Sequence, residues 1–320
     1  MTKPHILVNC PVSSFNKDIW PERFIPHYVD PETDRSALLS DVGELITAMI
    51  TDGPRSIDKD YLDALPSLRL IVCLGVGIDK IDIDEAGRRG IAVANGSGTN
   101  APSVADHVFA LMLAVARQIL TNDQSMRQHG ADEECPKVPT GTIYGKKLGI
   151  LGLGAIGMEV AKRAEAFDMN VFYHNRSQRE DVDHTFCGSA MELAGEVDFL
   201  CVSCPGGAKT HHLVNTGVLS ALGPDGVLIN VARGSIVDDA ALIDALDSGR
   251  ISTAILDVFH TEPLPTDDPL WAHPHIRITP HTSFAGDGVQ DRWDKLFLDN
   301  LPRYVNGEEL LNVFDPADLT

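Results

Sequence analysis

The sequence predicts an α/β protein with two domains, each built on a doubly wound parallel sheet. Short apolar segments typical of buried strands alternate with segments of helical spacing along most of the chain, which is the pattern of βαβ units. The later strand segments are near-continuous apolar runs, as expected for a parallel sheet covered on both faces. A chain of 320 residues is long enough to bury two hydrophobic cores.

The first hundred residues predict a small parallel-sheet domain. Its strands are expected at residues 5–9, 45–50, 70–74 and 91–94, and its helices at residues 36–42, 61–65 and 81–90. The turn-rich residues 95–100 predict a hinge, and Pro102 suits the first turn of the next helix, over residues 102–116. That helix is apolar nearly all round, so we expect it to be buried. The polar residues 121–140 then predict a surface arm or loop.

The second domain is organised around residues 146–177. A short apolar run there leads into the string Gly152-Leu153-Gly154-Ala155-Ile156-Gly157, which is followed by helical spacing and a second strand. In this context the G-x-G-x-x-G string predicts a dinucleotide site of the Rossmann type, rather than a plain glycine-rich turn. Gly152 would permit the tight turn, Gly154 the approach of a pyrophosphate, and Gly157 close packing of helix on strand. The first turn of the helix, with Ala155 and Ile156, would then offer unpaired N–H groups to the phosphates.

The end of the second strand indicates which dinucleotide is bound. Enzymes that use NAD usually carry an Asp or Glu there, about 20 residues after the glycines, to bind the ribose 2′-hydroxyl. This chain has Asn175, Arg176 and Ser177 instead, and all three can donate hydrogen bonds to a 2′-phosphate, which a carboxylate would repel. We therefore expect NADP(H) in preference to NAD(H). If Arg176 is only a solvated loop residue, NAD(H) remains the alternative.

The remaining elements continue the alternation. Strands are expected at residues 148–151, 170–173, 198–204, 227–232, 252–258 and 275–279, and helices at residues 156–167, 190–194 and 238–248. Residues 287–304 predict a closing helix that returns the chain to the first domain. We therefore expect residues 101–285 to form the dinucleotide-binding domain, and residues 1–100 with 286–320 to form a substrate domain.

The charge balance excludes some classes of partner. Lys and Arg total 26 against 46 Asp and Glu, for a net charge of −20, which opposes binding to nucleic acid or to an anionic membrane. Residues 1–20 lack the apolar core of a secretory signal, and the longest apolar run, over residues 108–116, is too short to span a bilayer. We therefore expect a cytoplasmic protein that binds neither nucleic acid nor membrane.

Neither the cysteines nor the histidines predict a metal site. Cys201 and Cys204 are the only close pair among six cysteines and fall in a predicted strand, so a buried structural role is favoured over zinc or redox chemistry. His211 and His212 adjoin on a segment that reads as extended, where neighbouring side chains point apart. No carboxylate or cysteine completes a ligand set around them, or around the His-Pro-His at residues 273–275. No metal is expected.

Three polar residues follow three predicted strands of the second domain: Arg233, Glu262 and His281. Ligands of such sheets bind outside the carboxyl ends of the strands, so these side chains are expected at one edge. A 2-keto acid needs this set, because a guanidinium can hold its carboxylate and polarise the keto oxygen. An imidazolium can deliver a proton as hydride reaches the carbon, and a carboxylate beside the imidazole favours its charged form and fixes its orientation. Each residue alone would more often be structural.

The segments NVARGSIVD, LDVFHTEPLP and TPHTSF, together with LGLGAIG, resemble the D-isomer-specific 2-hydroxyacid dehydrogenases. The YHNRS segment is most similar to the glyoxylate/hydroxypyruvate reductase branch, whose members commonly use NADPH. The resemblance covers the chain from about residue 45 to residue 300. It implies two Rossmann-like domains, with the nucleotide-binding domain inserted in a flavodoxin-like substrate domain, and a homodimer. It also implies that Arg233 binds the substrate, that His281 is the acid/base and that Glu262 is its partner.

Further site residues are implied by the resemblance alone. Gly75, Val76 and Gly77 match the first-domain loop that closes on the substrate carboxylate through backbone N–H groups; without the family they read equally well as a tight turn. The positions that match cofactor contacts are Val104, Cys204, Pro205, Thr210, Val231, Ala232 and Asp257. Gly206 and Gly207 depart from the family pattern, which weakens the expected phosphate contacts of that loop.

The sequence therefore predicts a reductase that uses NADPH to convert glyoxylate or hydroxypyruvate into the D-2-hydroxy acid. Two alternatives stay open: an NAD(H)-dependent enzyme of the same family that acts on a bulkier keto acid, and a nucleotide-sensing protein on the same fold. The intact set of Arg233, Glu262 and His281 favours an enzyme over a sensor. Trp271 is expected to pack a loop rather than to line the substrate pocket.

Overall fold

A computed structural model describes residues 3–11, 23–30, 32–130 and 140–314 of the chain. The chain divides into two units, Met1–Thr99 with Asp287–Thr320, and Asn100–Gly286. The described part of each unit contains one sheet whose neighbouring strands pair in parallel, and helices flank both sheets. The predicted fold class, α/β with two Rossmann-like parallel sheets, is therefore confirmed.

The described part of the first unit has a five-stranded sheet. Its strands are β1 (His5–Asn9), β2 (Ile25–Tyr28), β3 (Ile46–Thr51), β4 (Leu70–Cys73) and β5 (Ala92–Asn95), in the spatial order β2-β1-β3-β4-β5. This is the strand order of flavodoxin-like sheets. In register, Ile50 of β3 lies between Val8 of β1 and Val72 of β4. All three side chains are fully buried, so the core lies against the centre of the sheet.

Among the described residues, an aspartate precedes each of the three α-helices that lie between β2 and β5 in the chain. Helices α1 (Arg35–Val42), α2 (Lys59–Asp63) and α3 (Ile83–Arg88) follow Asp34, Asp58 and Asp82, whose carboxylates accept the backbone N–H groups of Ala37, Tyr61 and Glu85. Each cap pairs an otherwise unsatisfied N–H and places negative charge at the positive end of the helix. The three helices pack on one face of the sheet through Leu39, Leu62 and Ala86.

The described part of the second unit has a seven-stranded sheet. Its strands are β6 (Lys147–Leu151), β7 (Asn170–His174), β8 (Thr185–Phe186), β9 (Phe199–Val202), β10 (Val227–Asn230), β11 (Thr253–Leu256) and β12 (Ile276–Ile278), in the order β12-β11-β10-β9-β6-β7-β8. The strand order reverses between β6 and β9. In doubly wound sheets, ligands bind at this reversal, outside the carboxyl ends of the strands. The loops that follow β6 and β9 to β12 therefore form the expected ligand edge.

Helices cover both faces of the second sheet. They are α4 (Ala101–Ala116), α5 (Ile119–His129), α6 (Ala155–Ala166), α7 (Ala190–Glu196), α8 (Thr216–Leu222) and α9 (Asp239–Asp247). Helices α4 and α6 pack on one face through Val108 and Val160, and α7 and α9 pack on the other through Leu193 and Leu242. No single helix among the described residues has the length and apolar character needed to cross a membrane; α4 and α5 meet that test only as a pair bent by 54°.

Helix α10 (Val289–Asn306) belongs to the first unit. Phe297 and Leu301 pack with Ile6 on the face of the first sheet opposite α1 to α3. The Nε1 of Trp293 donates a hydrogen bond to Oγ1 of Thr99 at 2.9 Å. The closing segment of the chain therefore completes the core of the unit in which the chain begins.

Several observed elements are absent from the sequence prediction. Strands β2 and β8 are edge strands without the apolar run of a buried strand: β2 is IPHY, with no buried side chain, and β8 has two residues. Helix α8 is also absent from the prediction; the side chain of Asn215 caps its first N–H groups. The expectation of an arm or loop is wrong for residues 121–129, which belong to α5. Residues 131–139 lie outside the described part of the chain.

Candidate active site

Glycine occupies two positions of the β6–α6 turn because no side chain fits there. Gly152 has a φ of +102°, and a Cβ on it would lie 2.5 Å from the backbone N and Cα atoms of Cys204. A Cβ on Gly157 would lie 2.5 Å from the carbonyl oxygen of Gly152. Gly154 differs, because no atom of the described residues lies within 4 Å of the position that its Cβ would take. The turn is therefore closed toward β6 and β9 and open at Gly154.

The open side of this turn fits the pyrophosphate of a dinucleotide. Helix α6 begins at Ala155, so the N–H groups of its first turn, including that of Ile156, have no partner inside the helix. These donors and the positive end of the helix dipole favour a bound anion. A phosphate can reach them past Gly154 without displacing a side chain. The residues present therefore fit the cofactor that the glycine string predicts.

The end of β7 is tied to the glycine turn by two side chains. The Oδ1 of Asn175 accepts the N–H of Leu153 at 2.6 Å, and Nη1 of Arg179 donates to the carbonyl oxygen of Leu153 at 2.9 Å. Arg179 also pairs with both carboxylate oxygens of Asp181, and these hydrogen bonds lower the pKa of Asp181. Asn175 therefore uses its oxygen within the protein, and sequence reasoning missed Arg179. Arg176 and Ser177 are exposed beside them.

His281 and Glu262 form a close pair on the loops that follow β12 and β11. The Nδ1 of His281 lies 2.6 Å from Oε2 of Glu262, and Oε1 of Glu262 accepts the N–H of Phe259 at 2.9 Å. Because a carboxylate only accepts hydrogen bonds, Nδ1 carries the proton of this contact and Nε2 is left for another partner. The side chains are 40% and 35% exposed. The pair is therefore fixed by the protein on one side and accessible on the other.

Arg233 follows β10 and is placed by a buried asparagine. The Nδ2 of Asn230 donates to the carbonyl oxygen of Arg233 at 2.9 Å, and its Oδ1 accepts the N–H of Ala232 at 3.1 Å. A Cβ on Gly234 would overlap the backbone at Phe259, so the turn after β10 packs directly on the loop that leads to Glu262. The structure therefore brings Arg233, Glu262 and His281 to the carboxyl ends of three neighbouring strands.

Asp257 holds the loop that carries His281. Its carboxylate accepts hydrogen bonds from the hydroxyl of Thr279 at 2.6 Å, from the N–H of Thr282 at 3.0 Å and from the N–H of Ser283 at 3.0 Å. Asp257 is completely buried. Its contact with a nicotinamide stays a prediction, whereas its hold on the His281 loop is direct. Sequence reasoning missed this hold.

Comparison with known proteins identifies the family. The family model described as D-isomer specific 2-hydroxyacid dehydrogenase, NAD binding domain, matches residues 109–283. The chain belongs to this family. It is 35% identical to the hydroxyphenylpyruvate reductase of Plectranthus scutellarioides over 306 residues, which cover 96% of this chain and 97% of the relative. It is 36% identical to the 2-ketogluconate reductase of Gluconobacter oxydans over 312 residues, which cover 97% and 98%.

A solved structure supports the same family assignment for this dehydrogenase. The crystal structure of an NADPH-dependent glyoxylate/hydroxypyruvate reductase from Sinorhizobium meliloti, in complex with NADP and malonate, superposes with a TM-score of 0.88. The two chains are 34% identical, and the match covers 99% of this chain and 98% of that one. The predicted family and its glyoxylate/hydroxypyruvate reductase-like branch are therefore confirmed. The dehydrogenase is an oxidoreductase whose second unit binds a nicotinamide cofactor.

The remaining positions predicted to contact the cofactor are mostly buried in the second unit. Buried residues expected at the cofactor are Val104, Cys204, Val231 and Ala232. The loop after β9 is closed internally, because the hydroxyl of Thr210 donates to the carbonyl oxygen of Pro205 at 2.8 Å. These residues stay predicted contacts. Burial raises the pKa of the Cys201 and Cys204 thiols to about 12, so both cysteines are protonated side chains of the core.

The first unit of the dehydrogenase carries the predicted substrate loop. Gly75, Val76 and Gly77 follow β4, and Nδ2 of Asn95 donates to the carbonyl oxygen of Val76 at 2.9 Å. The backbone N–H of Gly96 donates to the carbonyl oxygen of Gly75 at 2.8 Å. The loop is therefore shaped through its carbonyl groups by the end of β5. Its contact with a substrate stays a prediction.

Two further expectations about side chains have clear outcomes. The rings of His211 and His212 lie 3.9 Å apart, so the expectation that they point apart is wrong; the two residues sit in a turn rather than in an extended segment. Trp271 is 55% exposed and its Nε1 donates to the carbonyl oxygen of Pro265 at 2.8 Å. Trp271 therefore braces the loop after β11.

Proposed function

We propose that this dehydrogenase uses NADPH to reduce a small 2-keto acid, glyoxylate or hydroxypyruvate, to the D-2-hydroxy acid. The observation that carries the proposal is the 2.6 Å contact between His281 Nδ1 and Glu262 Oε2, at the edge of the sheet that also carries Arg233. A cation for a carboxylate and an oriented proton donor are the two groups that reduction of a 2-keto acid requires.

Each residue of the set has a defined task in this proposal. The bound cofactor supplies the hydride. Arg233 holds the substrate carboxylate and polarises the keto oxygen. His281 delivers a proton from Nε2 to that oxygen, since Nδ1 is engaged by Glu262. Glu262 stabilises the charged imidazole and fixes the plane of its ring. Gly75, Val76 and Gly77 are proposed, from the family resemblance, to donate their N–H groups to the substrate carboxylate.

The preference for NADPH is supported by the residues that follow β7. Arg176 and Ser177 are exposed there, and both side chains can donate hydrogen bonds to a 2′-phosphate, whereas both polar atoms of the Asn175 side chain contact Leu153 of the glycine turn. A guanidinium suits a 2′-phosphate because its planar fork matches the phosphate oxygens. The Sinorhizobium meliloti structure contains NADP. NAD(H) is the alternative.

A homodimer is part of the proposal and is supported by exposed apolar side chains. Ile119, Leu120 and Met126 of α5 are each about half exposed, and Tyr144 just before β6 is 68% exposed. Apolar side chains grouped on one helix of a soluble protein commonly mark an interface with another chain. Sedimentation equilibrium of the purified protein, with a Leu120→Glu variant as comparison, tests this: a monomeric wild type would refute the dimer.

The function is tested by the absorbance of the reduced cofactor. NADPH and NADH are each offered with glyoxylate, hydroxypyruvate, pyruvate, 4-hydroxyphenylpyruvate and 2-ketogluconate. Rapid oxidation of NADPH with the first two acids is expected. Faster turnover with NADH would refute the cofactor preference and leave the reaction standing. Turnover confined to the larger acids would refute the proposed substrate.

The role of His281 is tested by the His281→Ala variant. We expect kcat to fall about 100-fold or more, the usual loss when a general acid is removed, while NADPH binding is kept. His275→Ala, an exposed histidine at the opposite end of β12, serves as the control. Turnover that is unchanged in His281→Ala would remove His281 from the mechanism.

A further inference from the structure

A chain of hydrogen bonds joins α4 to the loop that carries His281. The Nε2 of His107 lies 3.0 Å from Oγ1 of Thr279, and Oγ1 of Thr279 lies 2.6 Å from Oδ1 of Asp257. The side chain of His107 is 20% exposed and that of Asp257 is fully buried. Hydrogen bonds accepted by a buried carboxylate are stronger than hydrogen bonds between neutral groups in water. The acceptor is charged, and little solvent competes for it.

The direction of each hydrogen bond follows from the chemistry of the three groups. A carboxylate only accepts hydrogen bonds, so the hydroxyl of Thr279 donates its single hydrogen to Asp257. Oγ1 of Thr279 then faces His107 as an acceptor, and Nε2 of His107 must carry the hydrogen. The same carboxylate oxygen of Asp257 lies 3.5 Å from Nε2. His107 is therefore a donor that helps to hold the hydroxyl of Thr279 in place.

The other bonds of Asp257 fix the backbone around His281. Its carboxylate accepts the N–H groups of Thr282 and Ser283, which follow His281 directly. His281 has a φ of +50°, a left-handed conformation that is uncommon for residues other than glycine and persists where surrounding contacts impose it. Thr279 on one side and residues 282–283 on the other are held by one carboxylate. The left-handed turn is clamped at both ends.

We propose that His107 and Thr279 are positioning residues, which hold the His281 loop in its working geometry through the carboxylate of Asp257. The inference rests on the proposed function, in which His281 is the proton donor. Loss of the Thr279 hydroxyl leaves one oxygen of a buried carboxylate with a single donor and frees the start of the loop. The effect falls on the placement of the imidazole and leaves the glycine turn of the cofactor site unchanged.

The test compares variants that remove or keep each hydrogen bond. Thr279→Val removes the hydroxyl at nearly constant volume, and Thr279→Ser keeps it. His107→Leu removes the donor, and His107→Gln keeps an N–H donor of similar reach. Thr253→Val, at the opposite end of β11, is the matched control for a threonine in the same sheet. The readouts are amide hydrogen exchange at residues 282 and 283 in the cofactor-free enzyme, the Kd of NADPH, and kcat with KM for the keto acid.

The expected result separates positioning from general structure. In Thr279→Val, exchange at residues 282 and 283 should accelerate about tenfold or more and kcat should fall by a similar factor, the size expected for a lost bond to a charged group. His107→Leu loses a bond to a neutral hydroxyl, so both readouts should change in the same direction by about threefold or more. The Kd of NADPH and the KM should change by about twofold at most, as for a substitution outside the contact surface. Thr279→Ser, His107→Gln and Thr253→Val should resemble the wild type.

Unchanged exchange in Thr279→Val would overturn the proposal, and so would accelerated exchange with an unchanged kcat. Loss of NADPH affinity in step with kcat would also overturn it, because the network would then serve the cofactor site. A wild-type enzyme that reduces no keto acid would refute the proposed function separately. The exchange rates of the free enzyme would still decide whether His107 and Thr279 hold the loop.

Discussion

The Nδ1 of His281 lies 2.6 Å from Oε2 of Glu262, whose other oxygen accepts the N–H of Phe259 at 2.9 Å. The backbone therefore holds the carboxylate independently of the imidazole. A glutamate held only by the histidine could rotate together with the ring and would not fix its orientation. The backbone contact makes Glu262 a fixed reference for the ring.

The Glu262→Gln variant should keep its fold and lose most of its turnover. An amide can still accept the N–H of Phe259, but it has no negative charge to stabilise an imidazolium. We expect kcat to fall about 10- to 100-fold, the loss that follows from removing one charge-assisted hydrogen bond. Steady-state kinetics and the melting temperature measure the two effects. A kcat equal to that of the wild type would show that the charge of Glu262 has no part in turnover.

The Arg176→Ala variant should distinguish the two cofactors. If the guanidinium binds a 2′-phosphate, its loss should weaken NADPH about 10- to 100-fold and leave NADH nearly unchanged. Fluorescence titration with each cofactor measures both dissociation constants. Arg127→Ala is a suitable control, because Arg127 is an exposed residue of α5 that pairs with Asp123. Equal weakening of NADPH and NADH would contradict the 2′-phosphate assignment.

Two helical glycines make a matched pair for testing the β6–α6 turn. A Cβ on Gly157 would press on the carbonyl oxygen of Gly152, whereas a Cβ on Gly195 of α7 would meet no described atom within 4 Å. Gly157→Ala should therefore cost about 1 to 3 kcal/mol of unfolding free energy and weaken cofactor binding. Gly195→Ala should add about 0.5 to 1 kcal/mol, as expected for alanine in a helix. Urea unfolding gives both values, and a neutral Gly157→Ala would show that α6 can shift away from β6.

Position relative to a strand made Arg233, Glu262 and His281 predictable from the sequence. Parallel strands end at one edge, so residues that follow them meet there whatever the details of packing. The same reasoning could not find the partners of Asp257. His107 and Thr279 are 172 positions apart, and their contact depends on the rotation of α4 over the sheet, which hydrophobic periodicity fixes only to within a face. The family resemblance placed Asp257 at the cofactor. Its hydrogen bonds to the His281 loop are visible only in the three-dimensional structure.

The limits of the fold prediction have a similar cause. Central strands such as β9 and β10 are buried on both faces and therefore read as apolar runs. Edge strands have one neighbour and less burial, so β2 contains Pro26 and His27 without loss of pairing. Helix α5 has no buried residue among its eleven, which leaves a polar composition that resembles a loop. The pattern of apolar residues therefore indicates which segments are buried, and it predicts secondary structure only for those segments.

The buried thiols of the second unit predict how stability depends on pH. Burial raises the pKa of Cys201 and Cys204 from 9.0 to about 12. In the unfolded chain these thiols ionise near their usual value, so above it the unfolded state has lost protons that the folded state keeps. The contribution of these groups to stability is therefore complete below about pH 9 and is lost as the pH rises from 9 toward 12.

The Cys201→Ala/Cys204→Ala double variant isolates that contribution. The wild type should lose about 1 kcal/mol of unfolding free energy per thiol by pH 10, and the double variant should show a shallower decline from its own value at pH 8. Tyr61 and Cys10, whose pKa values burial also raises to about 12, remain in both proteins and contribute to the slope that is left, as does Cys187, whose pKa burial also raises. Urea unfolding at several pH values measures the two slopes. Parallel curves would show that the two thiols ionise in the folded protein as readily as in the unfolded chain, and that the core around β9 admits water.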